Sequence, residues 1–344
     1  MNILTIGATG FIGRHVVSQL VQAGHEVAVL HRGKTPLPPE WNVTEIIGDR
    51  STLQDLDLRA WHPNIVIDMI LSSAKQACAT VDTFTGVAQR VVAISSGDVY
   101  RAMSVLHGTE SGPLQPTPLT EDSQLRTQSQ TYSPEMLAVT RVRLPWIDDQ
   151  YDKIQVEQAI ASHPELPATI LRLPMVYGPG DMFHRFYPTL KRMLDARPVI
   201  LQEQTVSEWA TCRGYVENVA QAIVLAATSE KAAGRVYNVA DPDRYTEAEW
   251  AAKIGEVAGW NGRIIALPQS DTPKHLLQPA GNHKQDLFMD STRIRRELGY
   301  SEAVPLTEAI RRTVEWEKAN PPDKSDFAQC DYAAEDEAAR LILR

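Results

Sequence analysis

The run GATGFIG, from Gly7 to Gly13, directly follows an apolar, β-branched stretch and opens an amphipathic one. A bound pyrophosphate needs backbone amides aimed at it and no Cβ in the way. Glycines therefore belong at the tight turn and at the point of closest approach, with a helix N-terminus facing the anion. Gly7, Thr9, Gly10, Phe11, Ile12 and Gly13 are the residues expected against such a ligand. The alternative is a strand-to-helix turn that binds nothing, and the full strand, turn, helix, strand order argues against it. At the end of the second strand, an acidic residue would bond the ribose hydroxyls of NAD. Here stand Leu30, His31, Arg32, Gly33 and Lys34. A cation at that point suits a 2′-phosphate and favours NADP over NAD, unless Arg32 and Lys34 are only solvated loop charges. Past the third strand, Asp49 and Arg50 are placed for an adenine-side contact, with an Asx-type turn as the competing reading.

Those residues need a scaffold, and the chain supplies its pattern. Continuous apolar runs recur at 2–6, 26–30, 43–47, 64–69, 90–95 and 168–173, as strands covered on both faces require. Between them lie helical stretches such as FIGRHVVSQLVQAG, where Ile12, Val16, Val17, Leu20 and Val21 share a face before Gly24. The alternation predicts an α/β fold with a doubly wound parallel sheet. We expect a dinucleotide-binding domain over 1–177, with 210–240 returning to it. Past residue 178 the alternation weakens, so a second lobe is expected over 178–209 and 241–320, and a peripheral tail over 321–344. Residues 106–134, rich in Pro, Thr, Ser, Gln and Gly, read as a long loop in the role of a lid. Thr246 and Glu249 form a capping-box pair at the start of a late helix.

With 344 residues and 43% hydrophobic composition the chain can bury a sizeable core. The 43 acidic against 34 basic residues give a net charge of −9, which repels phosphate backbones, so no nucleic-acid partner is expected. No window has the ~18 uninterrupted apolar residues of a membrane span. Cys78, Cys212 and Cys330 have no metal-like spacing and are odd in number, which fits a reducing cytoplasm and no metal site. The first residues, Asn2 to Ile6, form a strand-like run and not a basic segment followed by an apolar core, so a soluble, unexported protein is expected.

Six further segments complete a pattern. GATGFIG is followed by ISSGDVY at 94–100, by Lys153 with Glu157, and by LRLPMVYGPGD at 171–181; YVENVAQAIVLA, GRVYNVA and RIRRELGY come after. In that order and spacing, over nearly the whole chain to about residue 320, the sequence resembles the extended short-chain dehydrogenase/reductases, the NAD-dependent epimerase/dehydratase group. The resemblance implies a Rossmann-type doubly wound parallel sheet holding NAD(P), a smaller C-terminal α+β substrate lobe, over 178–209 and 241–320, that usually takes a nucleotide sugar, and a helix-bundle homodimer. It implies that Ser96 orients the substrate hydroxyl or carbonyl and that Lys153 bonds the nicotinamide ribose. Pro174, Met175 and Val176 correspond to the stretch beside the nicotinamide.

The family's tyrosine, four residues before the lysine, is absent, and position 149 is aspartate. Tyr151 is a substitute, yet on a continuous helix it lies about 200° around from Lys153, so it serves only if the helix begins later. Asp149 would share a face with Lys153 and Glu157, but beside a lysine its pKa falls below the ordinary ~3.9, a poor proton donor. Asp148 and Asp149 read equally well as helix N-terminal caps. Arg101 stands where the family commonly has glycine, and Arg213 lies near the position of an arginine that contacts nucleotide-sugar phosphates. With His184 and Arg185 these residues form either a site for another anionic substrate or scattered surface cations. The expectation is an NAD(P)-linked oxidoreductase or epimerase acting on a hydroxyl or carbonyl of a polar small molecule, with Ser96, Lys153 and either Tyr151 or Asp149 as its working residues. The alternative is a non-catalytic dinucleotide-binding sensor or scaffold of the same fold.

Overall fold

The computed structural model describes residues 1–129, 132–278, 281–323 and 330–342. Among them run eleven strands: β1 (Asn2–Ile6), β2 (Glu26–His31), β3 (Thr44–Ile47), β4 (Ile65–Asp68), β5 (Arg90–Ser96), β6 (Ala168–Leu173), β7 (Met175–Tyr177), β8 (Val199–Glu203), β9 (Arg213–Tyr215), β10 (Val236–Asn238) and β11 (Arg263–Leu267). The helices are α1 (Phe11–Gln22), α2 (Ala74–Phe84), α3 (Arg101–Leu106), α4 (Pro134–Arg143), α5 (Lys153–Ile160) and α6 (Tyr187–Leu194). They continue with α7 (Gln204–Glu208), α8 (Val216–Thr228), α9 (Glu247–Ala258), α10 (Thr292–Leu298), α11 (Leu306–Ala319) and α12 (Tyr332–Ile342).

Seven strands form one parallel sheet in the order β10-β6-β5-β4-β1-β2-β3. Its interior strands are buried on both faces, which is why they read as unbroken apolar runs. One face packs on α1 and α8, the other on α2 and α5. Register aligns Ile6 with Leu30 and Asp68, and Ser96 with Leu173, so the strand C-termini make one edge. Because the order turns back at β1, the crevice of such a sheet opens at this edge. Two short parallel pairs, β7-β9 and β11-β8, lie in the C-terminal part, where Tyr177 stacks on Phe186 and meets Trp250 edge to face.

A charged network lies inside the sheet. Arg172 on β6 donates to Glu157 of α5 through Nε (3.0 Å) and Nη2 (2.7 Å), and through Nη1 to the Tyr100 hydroxyl and the Glu121 carbonyl (3.0 Å each). Ser95 donates to Glu157 (2.5 Å), and Tyr100 to Asn238 on β10 (2.7 Å). Burial pushes the Tyr100 phenol up to about 12, so it stays a neutral donor.

The described residues of the 106–134 loop are anchored to the body at several points. Gln115, Leu119 and Arg126 are buried, and Leu119 N–H bonds the Phe288 carbonyl at 2.7 Å. Residues 130 and 131 of that loop, and 324–329 and 343–344 of the tail, lie outside the described residues. Within the tail, α12 docks firmly: its buried Glu335 takes a two-nitrogen fork from Arg192 (3.1 and 2.6 Å) and a hydrogen bond with His275 (2.9 Å). Among the described residues no helix is long and apolar enough to cross a membrane.

Candidate active site

The glycines of the first turn differ in what a side chain would meet. Gly7 sits at φ +78°, and its Cβ would lie 2.6 Å from Ile70, so both backbone angle and space demand glycine. A Cβ on Gly13 would stand 2.4 Å from the Ala8 backbone, which sets how closely α1 packs on the turn. A Cβ on Gly10 would meet no atom within 4 Å, and the φ there is an ordinary −82°. Gly10 is the N-cap of α1, and no side chain caps the first-turn amides. Bare N–H groups, the positive end of a 12-residue helix and open space in front fit a pyrophosphate.

That open space is a cavity of about 640 Å³ bordered by Gly7, Thr9, Gly10 and Phe11, and by Arg32, Asp49 and Arg50 at its far side. A second cavity of about 240 Å³ is bordered by Ile12, Gly13, Ser96, Pro174 and Val176. The two share Gly7, Gly10, Phe11, Ile70, Leu144, Trp146 and Met182, and so are two ends of one cleft at the strand C-termini.

Ser96 closes β5, and its Oγ accepts from the Asp98 N–H at 3.2 Å. Lys153 is 3% exposed; its Nζ donates to the carbonyls of Leu71 (2.5 Å) and Ile94 (2.9 Å) and lies 5.5 Å from the centre of the Trp146 ring. The helix carrying it begins at Lys153 itself, capped by the Asp152 carboxylate on the Ile154 N–H (3.0 Å). Tyr151 therefore lies before the helix, and its hydroxyl donates to Asp98 Oδ2 at 2.6 Å. Asp149 is 91% exposed at its side chain and pairs with Arg141 at 2.6 Å, so it shares no helical face with Lys153 or Glu157. Asp148 caps neither helix; it ties residues 143–148 to the α2 start by accepting from Ser73 (2.5 Å) and Ser72 (3.3 Å).

The family profile described as "NAD dependent epimerase/dehydratase family" matches residues 3–240. The chain belongs to that family. It is 21% identical over 334 residues to the UDP-N-acetyl-alpha-D-glucosaminuronate decarboxylase of Bacillus cytotoxicus, across 91% of this chain and 96% of that protein. It is 27% identical over 180 residues to protein y4nL of Sinorhizobium fredii, 46% of this chain, and spans about half (49%) of that relative's length. The fold is that of the UDP-glucuronic acid 4-epimerase of Bacillus cereus, solved with UDP-glucuronic acid and NAD. There the TM-score is 0.64 at 19% identity, covering 93% of this chain and 99% of that one.

Within this family member, the remaining sequence candidates separate. Asp49 stays at the cavity edge, its carboxyl held below the usual range by hydrogen bonds from the Ser51 hydroxyl (2.7 Å) and N–H (2.8 Å). Arg50 borders the cavity, but its Nη2 is committed inward to Asp68 and to Thr80 (2.9 Å), bracing β4 against α2. Arg101 holds the carbonyls of Ser111 and Pro113 (3.0 and 2.9 Å), and Arg213 forks onto Glu247 (2.5 and 2.7 Å). His184 meets Glu317 at 2.7 Å. Of these four cationic candidates, Arg101, Arg213, His184 and Arg185, only Arg185 borders the cleft. Asp98 was not among the sequence candidates, although it lies in the quoted serine motif. Nor was Trp146, although Pro145 beside it signals that a helix cannot run through.

Burial pushes Lys153 down to about 8, against the pull of Asp98, Asp68 and Glu157. Its folded pKa lies below the unfolded value of 10.5, so the folded chain carries the cost of a buried ammonium at neutral pH. Between about pH 8 and 10.5 the unfolded chain binds the extra proton, and stability from this group rises with pH. The difference in unfolding free energy between wild type and Lys153→Met is thus expected to move in favour of wild type across that window. A pH-independent difference in urea titrations counts against a buried ammonium.

Proposed function

We propose that the chain is an NAD(P)-linked oxidoreductase, or an epimerase working by transient oxidation, acting on a hydroxyl or carbonyl of a polar, sugar-like substrate. One observation carries this: the uncapped glycine turn and the Ser96 hydroxyl face the two ends of one cleft. The turn residues, with Pro174 and Val176 at the second end, would hold the dinucleotide. A bound nicotinamide supplies the hydride chemistry; the protein supplies position and proton traffic. Because the Asp98 N–H occupies one lone pair of Ser96 Oγ, the hydroxyl proton is available to the reacting oxygen. Of the sequence candidates for proton handling we keep Tyr151, paired with Asp98, whose carboxyl burial pushes up; because neither borders the cavities, the pair would act through Ser96, whose Oγ accepts from the Asp98 N–H. Asp149, on the solvent side, has no part in it. Lys153 supports the cleft floor through the Leu71 and Ile94 carbonyls.

Ser96→Ala is expected to lower turnover about a hundredfold, the loss of one aimed donor, with cofactor affinity unchanged. The measurement is NAD(P)H oxidation or sugar-nucleotide interconversion beside calorimetric titration of the cofactor; unchanged turnover defeats the assignment. A second reading, a dinucleotide-binding protein without turnover, is favoured by Lys153 lying under Trp146 and, among the described residues, by no tyrosine bordering either cavity. Tight cofactor binding with no turnover of any sugar nucleotide tried decides for it.

The NADP preference rests on Arg32 at the β2 end of the larger cavity, where Asp49 offers a carboxylate to NAD instead. Arg32→Ala is expected to weaken NADPH about tenfold relative to NADH, one charge-assisted contact. An unchanged ratio removes the preference. A cytoplasmic homodimer belongs to the same proposal, and a monomer-mass species in sedimentation at micromolar concentration overturns it.

A further inference from the structure

The smaller cavity, where Ser96 stands, is lined almost wholly by apolar groups: Met69, Ile70, Trp146, Pro174, Met182 and Phe183 are among them. Among the described residues, Ser96 and Arg185 are its only side chains able to form hydrogen bonds, apart from the Trp146 indole. Arg185 is not a loose surface cation. Its Nη1 donates to Asp181 Oδ1 at 2.6 Å, and its guanidinium carbon rests 4.6 Å from the centre of the Phe183 ring. Asp181, 1% exposed, also accepts from the N–H groups of Phe183 (3.0 Å) and Arg185 (3.3 Å). The guanidinium is therefore fixed in position from below and from one side. Its Nε and Nη2 make no hydrogen bond to protein among the described residues. A second cation, Arg143, lies 5.8 Å from the same ring and borders the adjoining cavity.

A held guanidinium with unspent N–H groups on an apolar wall is suited to an oxyanion, because that chemistry gives paired, charge-assisted hydrogen bonds where water is largely excluded. We propose that Arg185 is the specificity-determining residue of this site, and that it selects substrates carrying a carboxylate beside the reacting hydroxyl or carbonyl. Ser96 and Arg185 border the same cavity, so one substrate can offer its reacting oxygen to the first and its anionic group to the second. The inference rests on the reading of the cleft as an NAD(P) and substrate site.

The test titrates NAD-loaded protein by calorimetry with UDP-glucuronic acid, UDP-glucose and free glucuronic acid, in wild type, Arg185→Gln and Arg185→Lys. NAD affinity is measured first: its absence sinks the dinucleotide reading, whereas its presence without the results below sinks this inference alone. If the ring carboxylate is the group selected, UDP-glucuronic acid binds at least tenfold tighter than UDP-glucose, and R185Q erases the difference. If both nucleotides bind alike, whether or not R185Q weakens them, Arg185 does not select the carboxylate and the proposal is overturned. R185K is expected to retain part of the affinity, since it keeps charge but loses the fork. Should R185Q fail to fold, Phe183→Leu, which removes the ring under the guanidinium and leaves the Asp181 pair, is expected to weaken the same anion about threefold. Identical affinities in wild type and variants, or no binding of any of the three compounds to the NAD-loaded protein, overturn the proposal.

Discussion

Replacing Gly10 with aspartate is expected to weaken NAD(H) and NADP(H) binding at least a hundredfold, about 2.7 kcal/mol, while leaving the fold as stable as before. The two halves of that expectation come from one position. Gly10 has backbone angles any residue adopts, and nothing lies within 4 Å of a Cβ there, so the fold tolerates a side chain. Aspartate is moreover a good N-cap, better than glycine by roughly a few tenths of a kcal/mol, because it accepts from the bare first-turn amides. Those amides are the ones a pyrophosphate needs, and the new carboxylate adds a negative charge beside it. Gly13→Ala is the contrast, because its Cβ would collide with the Ala8 backbone and damage the packing of α1 itself. Thermal unfolding and cofactor titration of both variants check the pair. A Gly10→Asp protein that binds NAD(H) normally would mean that the pyrophosphate lies elsewhere.

Much of this was legible in the sequence because it depends on local rules. The parallel sheet announces itself in runs such as RVVAIS, whose residues alternate between two covered faces and so cannot alternate in polarity. The glycine turn is legible for the same reason: backbone angle and close approach restrict residue type at each position. The capping box of Thr246 and Glu249 formed as read, with both reciprocal hydrogen bonds present. Residues 144–152 were not legible in this way. A continuous helix through Asp149 and Lys153 was the frame for weighing Asp149 against Tyr151. Leu144 instead ends α4 ahead of Pro145, and Asp152 starts a new helix, so the condition attached to Tyr151 is met and the one attached to Asp149 is not. What then decides the side chains is tertiary: Asp148 is drawn to Ser72 and Ser73, 75 or more residues earlier, and Tyr151 to Asp98. The partners of Arg50 and Arg213 were not legible for a related reason. Asp68 and Glu247 are ordinary carboxylates whose proximity no local spacing reveals.

The largest expected loss of stability is at Arg172, and it shows how the scaffold holds the serine in place. Arg172→Met leaves Glu157 buried with the Ser95 hydroxyl as its remaining side-chain donor. It also takes a donor from the Glu121 carbonyl and a neighbour from Tyr100. Breaking one side of a buried pair in this way costs about 3–5 kcal/mol, chiefly from the uncompensated charge that remains. The double variant Arg172→Met with Glu157→Met removes both charges, and is expected to recover most of that loss. Urea unfolding of the two single variants and the double measures the coupling. A single variant within about 1 kcal/mol of wild type, or a double no better than the worse single, would show that the pair does not carry this part of the sheet. Because Ser95 precedes Ser96, the same cycle has a functional reading. Variants that stay folded should lose turnover through a displaced Ser96 while keeping dinucleotide affinity, since the glycine turn lies two strands away on β1.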